Sequence, residues 1–284
     1  MEGPLQLQMT EVNLPKTLRF LRRLPLPHKL GLLERLYGKN LRQLGIAWVE
    51  TANGVVWKLD LGDACQRWIV YGDYEGAAQI HWMRRWLDPG GVVIDSGANI
   101  GQILLYLAPL PGVTIFAFEP VAPAADWLTE CLQRYPKWAV KVIRQGLSND
   151  PGTLTMQLDG PRSTLRSDWY RRQGFPTLRV PMTTLDDFLD EHQIQSVRLW
   201  KLDVEGHEMA ALEGARRHLE KQAIAAILVE ISDLDAPRRL LREYGYELYR
   251  IGRRGMIAYF TDAERPSGNV LALPTGSLPT GSLS

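Results

Sequence analysis

Hydrophobic and polar positions change rhythm along this chain, and the changes divide it. Over the first 45 residues Leu21, Leu24, Leu30, Leu33 and Leu36 recur at loosely helical intervals among Arg22, Arg23, Lys29 and Arg35. Pro25 and Pro27 break that run, which predicts two short helices rather than one. From 46 to 61 the pattern tightens towards alternation: Ile46, Trp48 and Glu50 precede Asn53-Gly54, and Val55, Val56, Trp57 and Leu59 follow. Asn-Gly between β-rich runs predicts a hairpin. Residues 75–88 return to a helical period through Ala77, Ile80, Trp82, Trp86 and Leu87, until Pro89-Gly90-Gly91 ends it.

Beyond 89, apolar runs of strand length alternate with helix-compatible segments. Strands are expected at 92–95, 113–118, 139–144, 198–203 and 225–231, and helices at 100–109, 122–134, 184–192 and 208–220. Such alternation implies an α/β fold, a mostly parallel sheet with helices on both faces. Residues 153–158 and 177–182 read as an extra hairpin-type pair, and Tyr246–Ile251 with Met256–Phe260 as a terminal antiparallel one. The repeat Leu273-Pro-Thr-Gly-Ser277, Leu278-Pro-Thr-Gly-Ser282 has too little to bury, so the tail is expected to be disordered. The expected division is a helical and hairpin cap over 1–88, a main domain over 89–262 and a tail over 263–284.

The chemistry gathers where strands end. Val92-Val-Ile-Asp95 is a buried-strand pattern running into Ser96-Gly-Ala-Asn-Ile-Gly101, a tight turn that presents bare backbone to a nucleotide-like ligand. The next strand closes on Glu119-Pro120, 18 residues beyond Gly101, about where a ribose-binding carboxylate belongs. The dinucleotide fingerprint asks for a third glycine and a pyrophosphate, which Asp95 would repel. A donor with a sulfonium and an amino group, S-adenosylmethionine, suits that carboxylate better. On this reading Asp95, Gly97, Ala98, Asn99 and Gly101 line the donor. Glu119 takes the ribose hydroxyls, with Pro120 fixing the chain behind it. Gly146, Leu147 and Ser148, after the third strand, meet the adenine edge. They also fit an ordinary turn.

Three segments, Val93-Ile-Asp-Ser-Gly-Ala-Asn-Ile-Gly101, Ala117-Phe-Glu-Pro120 and Leu199-Trp-Lys-Leu-Asp-Val-Glu-Gly-His-Glu208, give the chain a resemblance to the FkbM-type S-adenosylmethionine-dependent methyltransferases. The last, with Leu212-Glu-Gly-Ala215 behind it, is the most specific, and the match spans roughly residues 68–232. The resemblance implies a Rossmann-like class I methyltransferase fold, with a seven-stranded sheet, and methylation of a hydroxyl on a sugar or secondary metabolite.

Methylating an alcohol requires alignment of oxygen, methyl and sulfur and an acceptor for the hydroxyl proton. If the fourth strand persists, alternation puts Lys201, Asp203 and Glu205 on one side, at the carboxyl end where ligands bind in open parallel sheets. Asp203 is the candidate base or a donor-binding group, His207 can also take the proton, and Lys201 can keep the acids ionised. Glu205 and Glu208 also suit the start of the following helix. Glu230, ending Ile224–Ile231, should open into the same crevice and touch the acceptor, as should Ser163 and Tyr170 in the Arg-rich stretch 162–172. The acids could form an oxygen-rich cation site, but metal-independent chemistry is expected.

Composition narrows the partners. A formal net charge of +1 removes the basic excess that phosphate contacts require, so nucleic acid is not expected as a substrate. Cys65 and Cys131 are sparse enough to be free thiols of a reducing compartment, and no apolar run reaches membrane-spanning length, so a cytoplasmic enzyme is expected. A basic amphipathic start could touch a membrane surface or simply pack with a solvated basic face. Two other readings share the opening motif: a nicotinamide-dependent oxidoreductase, which lacks the glycine pattern and a Tyr-x-x-x-Lys pair, and a non-catalytic donor-binding protein. Oligomeric state is left open.

Overall fold

The structure, a computed structural model, describes residues 11–24, 26–72, 76–157, 176–231, 235–252, 257–259 and 268–277. The chain forms two compact units that divide at Ala77, not at 88.

In the first unit, strand β1 (Glu11–Val12), helices α1 (Lys16–Leu21) and α2 (Lys29–Arg42), strands β2 (Ile46–Glu50) and β3 (Val56–Asp60) and helix α3 (Ala64–Tyr71) follow in order. The hairpin forms where Asn53-Gly54 predicts it, with Gly54 at φ +85°. Strand β1 adds in parallel to β2. Asp63 starts α3 by accepting from the Gln66 N–H at 3.0 Å. Two arginines are buried here. Arg67 clamps Glu34 through two bonds of 2.8 and 3.0 Å, and Arg22 donates to Glu50 and to the Glu50 and Thr51 carbonyls. Each buried cation thus has a carboxylate partner, although Arg22 Nε is buried without a hydrogen-bond acceptor.

The second unit begins with helix α4 (Ala77–Trp86), which the division moves out of the expected cap. Strands β4 (Gly91–Ser96), β5 (Val113–Phe118) and β6 (Ala139–Ile143) follow, with helices α5 (Leu104–Leu107) and α6 (Ala122–Leu132) between them. A small sheet comes next: β7 (Gly146–Leu147) and β8 (Gly152–Gln157) flank β9 (Thr177–Thr183), so the expected pair gains a third strand. Then come α7 (Leu185–Glu191), β10 (Leu199–Leu202), α8 (Glu208–Glu213), α9 (Arg216–Glu220), β11 (Ile227–Ile231), α10 (Asp235–Glu243), β12 (Tyr246–Ile251), β13 (Ile257–Tyr259) and β14 (Gly268–Pro274).

The main sheet has the order β13-β12-β14-β11-β10-β4-β5-β6, with β11, β10, β4, β5 and β6 parallel. The α/β class stands; the expected seven strands become eight among the described residues. The extra one corrects the reading of the tail. Gly268–Pro274 is a strand inserted antiparallel between β11 and β12, and Val270, Leu271, Ala272 and Leu273 are buried there. Its apolar run outweighs the low complexity that follows. The expected helix 208–220 is two helices, broken at Gly214-Ala215. From β4 the chain proceeds outward through β5 and β6, then returns to place β10 on β4's other side. That reversal opens a crevice at the carboxyl ends of β4 and β10.

Candidate active site

Three turns meet at this crevice. The first leaves β4 after Asp95 and Ser96, both buried, through Gly97 at φ +79°, Asn99 at φ +48° and Gly101 at φ +88°. The Gly97 and Ala98 N–H groups both donate to the Phe118 carbonyl at 3.0 Å, which ties the turn to the end of β5. Glycine is demanded at 97 twice over. Its φ is left-handed, and a Cβ there would lie 1.9 Å from the backbone oxygen of Asp203. The Asp203 N–H in turn donates to the Ser96 carbonyl at 3.1 Å, so the ends of β4 and β10 are packed backbone to backbone.

The second turn follows β5. Glu119 is buried, and its two carboxylate oxygens accept from Asn99 N–H and Val121 N–H, each at 2.8 Å. Burial raises its pKa to about 6, with the two backbone bonds opposing the shift. Each oxygen keeps one lone pair for a further donor. Pro120 Cγ lies 3.6 Å from where a Gly146 Cβ would be, so the β5 turn and β7 are neighbours; Leu147 and Ser148 are buried behind them.

The third turn follows β10. Lys201 is 1% exposed, and its ammonium donates to Asp203 Oδ2 at 2.9 Å. In register Lys201 stands beside Asp95 on β4 and Leu228 on β11, so Asp95, Lys201 and Glu230, two past Leu228, share a sheet face. Glu230 is exposed at its strand end, yet its carboxyl shares a hydrogen bond with Asp203 and is raised to about 8. Desolvation is the larger cause and the Asp203 charge the next, while Lys201 opposes both. Burial and the Asp203 charge thus favour the protonated form of Glu230, and the buried Lys201 ammonium opposes them.

Two sequence expectations change here. Strand β10 ends at Leu202, and Glu205 lies at φ +50° in the turn that follows, so alternation does not carry it onto the face of Lys201. His207 meets Ser148 instead: its Nε2 is 3.0 Å from the Ser148 hydroxyl, and burial lowers its pKa. Residues assigned separately to proton transfer and to the adenine edge thus touch each other. Ser163 and Tyr170 lie outside the described residues.

Two more residues shape the site: Gly214, which the sequence reading missed, and Glu208, expected at the helix start but without its turn-closing role. Glu208 is buried, raised by desolvation, and its Oε1 accepts from Val204 N–H at 3.2 Å and Gly206 N–H at 3.0 Å, which closes the Asp203–His207 turn. The signal available was an acid in the first turn of a helix just after a glycine. Glycine is required at 214, between α8 and α9, because a Cβ would lie 1.9 Å from the Ser148 carbonyl oxygen. A contact spanning so much sequence leaves no local signal. Among the described residues no three His, Cys, Asp or Glu side chains converge as a metal cage.

Residues 95–248 match the family model described as the methyltransferase FkbM domain. A hexuronic acid methyltransferase, AglP of Haloferax volcanii, is 28% identical over 49% of this chain and 55% of its own. The 31-O-demethyl-FK506 methyltransferase FkbM of Streptomyces tacrolimicus is 29% identical over 56% of this chain and 74% of its own. The antimetabolite synthetase AmbE of Pseudomonas aeruginosa is 30% identical over 57% of this chain but 10% of its own. The chain thus spans about half of AglP and a small part of AmbE.

Proposed function

The chain belongs to the FkbM methyltransferase family, and from that premise we propose that it transfers a methyl group from S-adenosylmethionine to a hydroxyl of a small acceptor, a sugar or a secondary metabolite. The observation that carries this reading is the Lys201–Asp203–Glu230 cluster, which lies at the carboxyl end of β10 beside Asp95 on the neighbouring strand β4. The relatives' names record a hexuronic acid and a demethylated oxygen as what those proteins act on.

The residues present suit such a donor. Glu119 has two lone pairs for ribose hydroxyls, Gly97 to Gly101 offer bare backbone, and the acids around Lys201 favour a cationic ligand over a diphosphate. Asp95, Gly97, Ala98, Asn99, Gly101, Glu119 and Pro120 would hold it, with Gly146, Leu147 and Ser148 beside the adenine. When bound, S-adenosylmethionine supplies an electrophilic methyl on a sulfonium and leaves as S-adenosylhomocysteine. Asp203 accepts the acceptor's hydroxyl proton as the oxygen gains its methyl. Lys201 pairs with the Asp203 carboxylate, and Glu230, its pKa raised, orients that carboxylate and contacts the acceptor. His207, lowered by burial and bonded to Ser148, stays neutral and shapes the donor side of the crevice. No metal is assigned a role in this proton transfer.

The test is calorimetric titration with S-adenosylmethionine and, separately, NAD⁺, followed by mass analysis of products from hexuronic acids and hydroxylated natural products. Binding of the methyl donor and a gain of one methyl mass are expected, with Asp203→Asn lowering turnover roughly tenfold or more. Binding of NAD⁺ in its place would overturn the reading, and undiminished turnover in Asp203→Asn would remove that residue from proton transfer.

A further inference from the structure

We propose that the helix pair α1–α2 docks the protein onto an anionic lipid surface. Among the described residues six large hydrophobic side chains are exposed, and five of them, Phe20, Leu32, Leu36, Leu44 and Ile46, fall within a single short stretch of the first unit. Scattered exposed apolar residues are ordinary; a cluster is not. These five are not failed core residues either. Leu18 and Leu33, both 0% exposed, already supply the inward contacts of the two helices, so the exposed set is a second, outward apolar layer. The helices are fixed side by side and antiparallel. The Tyr37 hydroxyl donates to the Thr17 hydroxyl at 2.8 Å, and the Lys29 ammonium reaches the Arg22 carbonyl at 3.4 Å. Leu32 and Leu36 stand one turn apart on α2, and Phe20 lies between the two tie points on α1.

The charge on the two helices is mostly of one sign, while Ile46 pairs across the hairpin with Asp60. Lys16, Arg23, Arg35, Lys39 and Arg42 are exposed on or beside the same two helices. Glu34 is the one acid between residues 13 and 49, and it is committed inward, held by two bonds from Arg67 and by the Tyr71 hydroxyl at 2.9 Å. Glu34 also lies 3.9 Å from the Arg42 guanidinium, and α1 and α2 carry no other carboxylate. A small, nearly neutral protein that concentrates cations around exposed aliphatic and aromatic side chains has the combination that binds at a membrane interface. Leucine and phenylalanine enter the acyl boundary, and lysine and arginine meet lipid phosphates. A nucleic acid would use the cations but has no use for three leucines and an isoleucine. Nothing in α1 or α2 spans a bilayer, so the contact is peripheral.

The experiment is flotation of the full chain with vesicles of phosphatidylcholine alone and of phosphatidylcholine mixed with phosphatidylglycerol. Binding to the mixed vesicles and not to the neutral ones is expected. Arg35→Glu/Lys39→Glu should weaken it at least about twentyfold, since each cation near an anionic surface is worth roughly fivefold. Phe20→Ser/Leu36→Ser should weaken it roughly tenfold or more. All four side chains are exposed, so circular dichroism and thermal melting should match the parent in both variants, which separates lost docking from lost folding. Absence of binding to the mixed vesicles overturns the proposal, as does equal binding to the neutral ones. So does binding that Phe20→Ser/Leu36→Ser leaves unchanged, which would mark a plain polyanion site or an acidic protein's footprint. The proposal stands apart from the methyl-transfer reading, and neither result bears on the other.

Discussion

Protonation of Glu119 should pull ligand-free stability and donor affinity in opposite directions. Burial holds this carboxyl near 6 against an ordinary 4.5, so keeping it ionised costs the folded protein about 2 kcal/mol. Because the folded value is the higher one, that stability is fully present below about pH 4.5 and is lost as pH climbs through about 6. The donor, however, needs the ionised form, since protonation turns one acceptor oxygen into a donor. Its affinity should therefore drop about tenfold for each pH unit below about 6. Glu119→Gln isolates the group. It has one carbonyl oxygen for two backbone N–H donors, Asn99 and Val121, so it strands one of them at about 1–3 kcal/mol. It also removes the ionisation cost. Relative to the parent the variant should be about 2 kcal/mol more stable at about pH 8 than at about pH 4.5, by denaturant titration at both values. Calorimetry of S-adenosylmethionine across the same range should give a sloping affinity for the parent and a weak, flat one for the variant. A parent affinity flat across that range, or a stability difference that does not change with pH, would refute the reasoning.

Gly97→Ala should lower stability by about 2–5 kcal/mol, because it combines a left-handed φ of +79° with a Cβ 1.9 Å from the Asp203 oxygen; an unchanged melting temperature would rule out that approach. Glu208→Gln keeps the oxygen that takes the Val204 and Gly206 N–H groups and should be nearly silent, whereas Glu208→Ala orphans both at about 1–3 kcal/mol each, a contrast readable in denaturant midpoints. Lys201→Met leaves the Asp203 carboxylate without its buried partner and should cost about 3–5 kcal/mol near neutrality. The loss should shrink on acidification as the carboxyls take up protons, a trend that melting curves in acid would expose.

The sequence carried local order well and distant order poorly. Strands β4, β5, β6 and β11 stand within a few residues of their apolar runs, because a buried parallel strand needs a continuous one. The β4 turn was legible from Gly97, Asn99 and Gly101, whose left-handed backbone is a property of single residues. Glu205 was misplaced because alternation says nothing of where a strand stops, and β10 stops at Leu202. The meeting of His207 with Ser148, and the approach of Gly214 to the Ser148 carbonyl, depend on the β7 and α8 segments packing across more than fifty residues of chain. No periodicity encodes that. β14 was misassigned for a different reason. The repeated Leu-Pro-Thr-Gly-Ser beside it masks Val270-Leu-Ala-Leu273, which has the composition of the strand it forms.

The packing of β4 against β10 decides more than the position of one carboxylate. Asp203 is gripped at its N–H by the Ser96 carbonyl, at its own carbonyl by the bare Cα of Gly97, and at its side chain by Lys201. On this face Glu230 is raised to about 8, and the Lys201 ammonium pairs with Asp203. Asp95 and Asp203 bring carboxylates from two neighbouring strands to the crevice where an open α/β sheet receives its ligand. A diphosphate entering it would meet like charge from both. A sulfonium or ammonium would meet opposite charge. The sequence alone gave that argument for Asp95; the register of Lys201 beside it and the Asp203–Glu230 pair extend it to the whole crevice. On electrostatic grounds a methyl donor is thus favoured there over a dinucleotide.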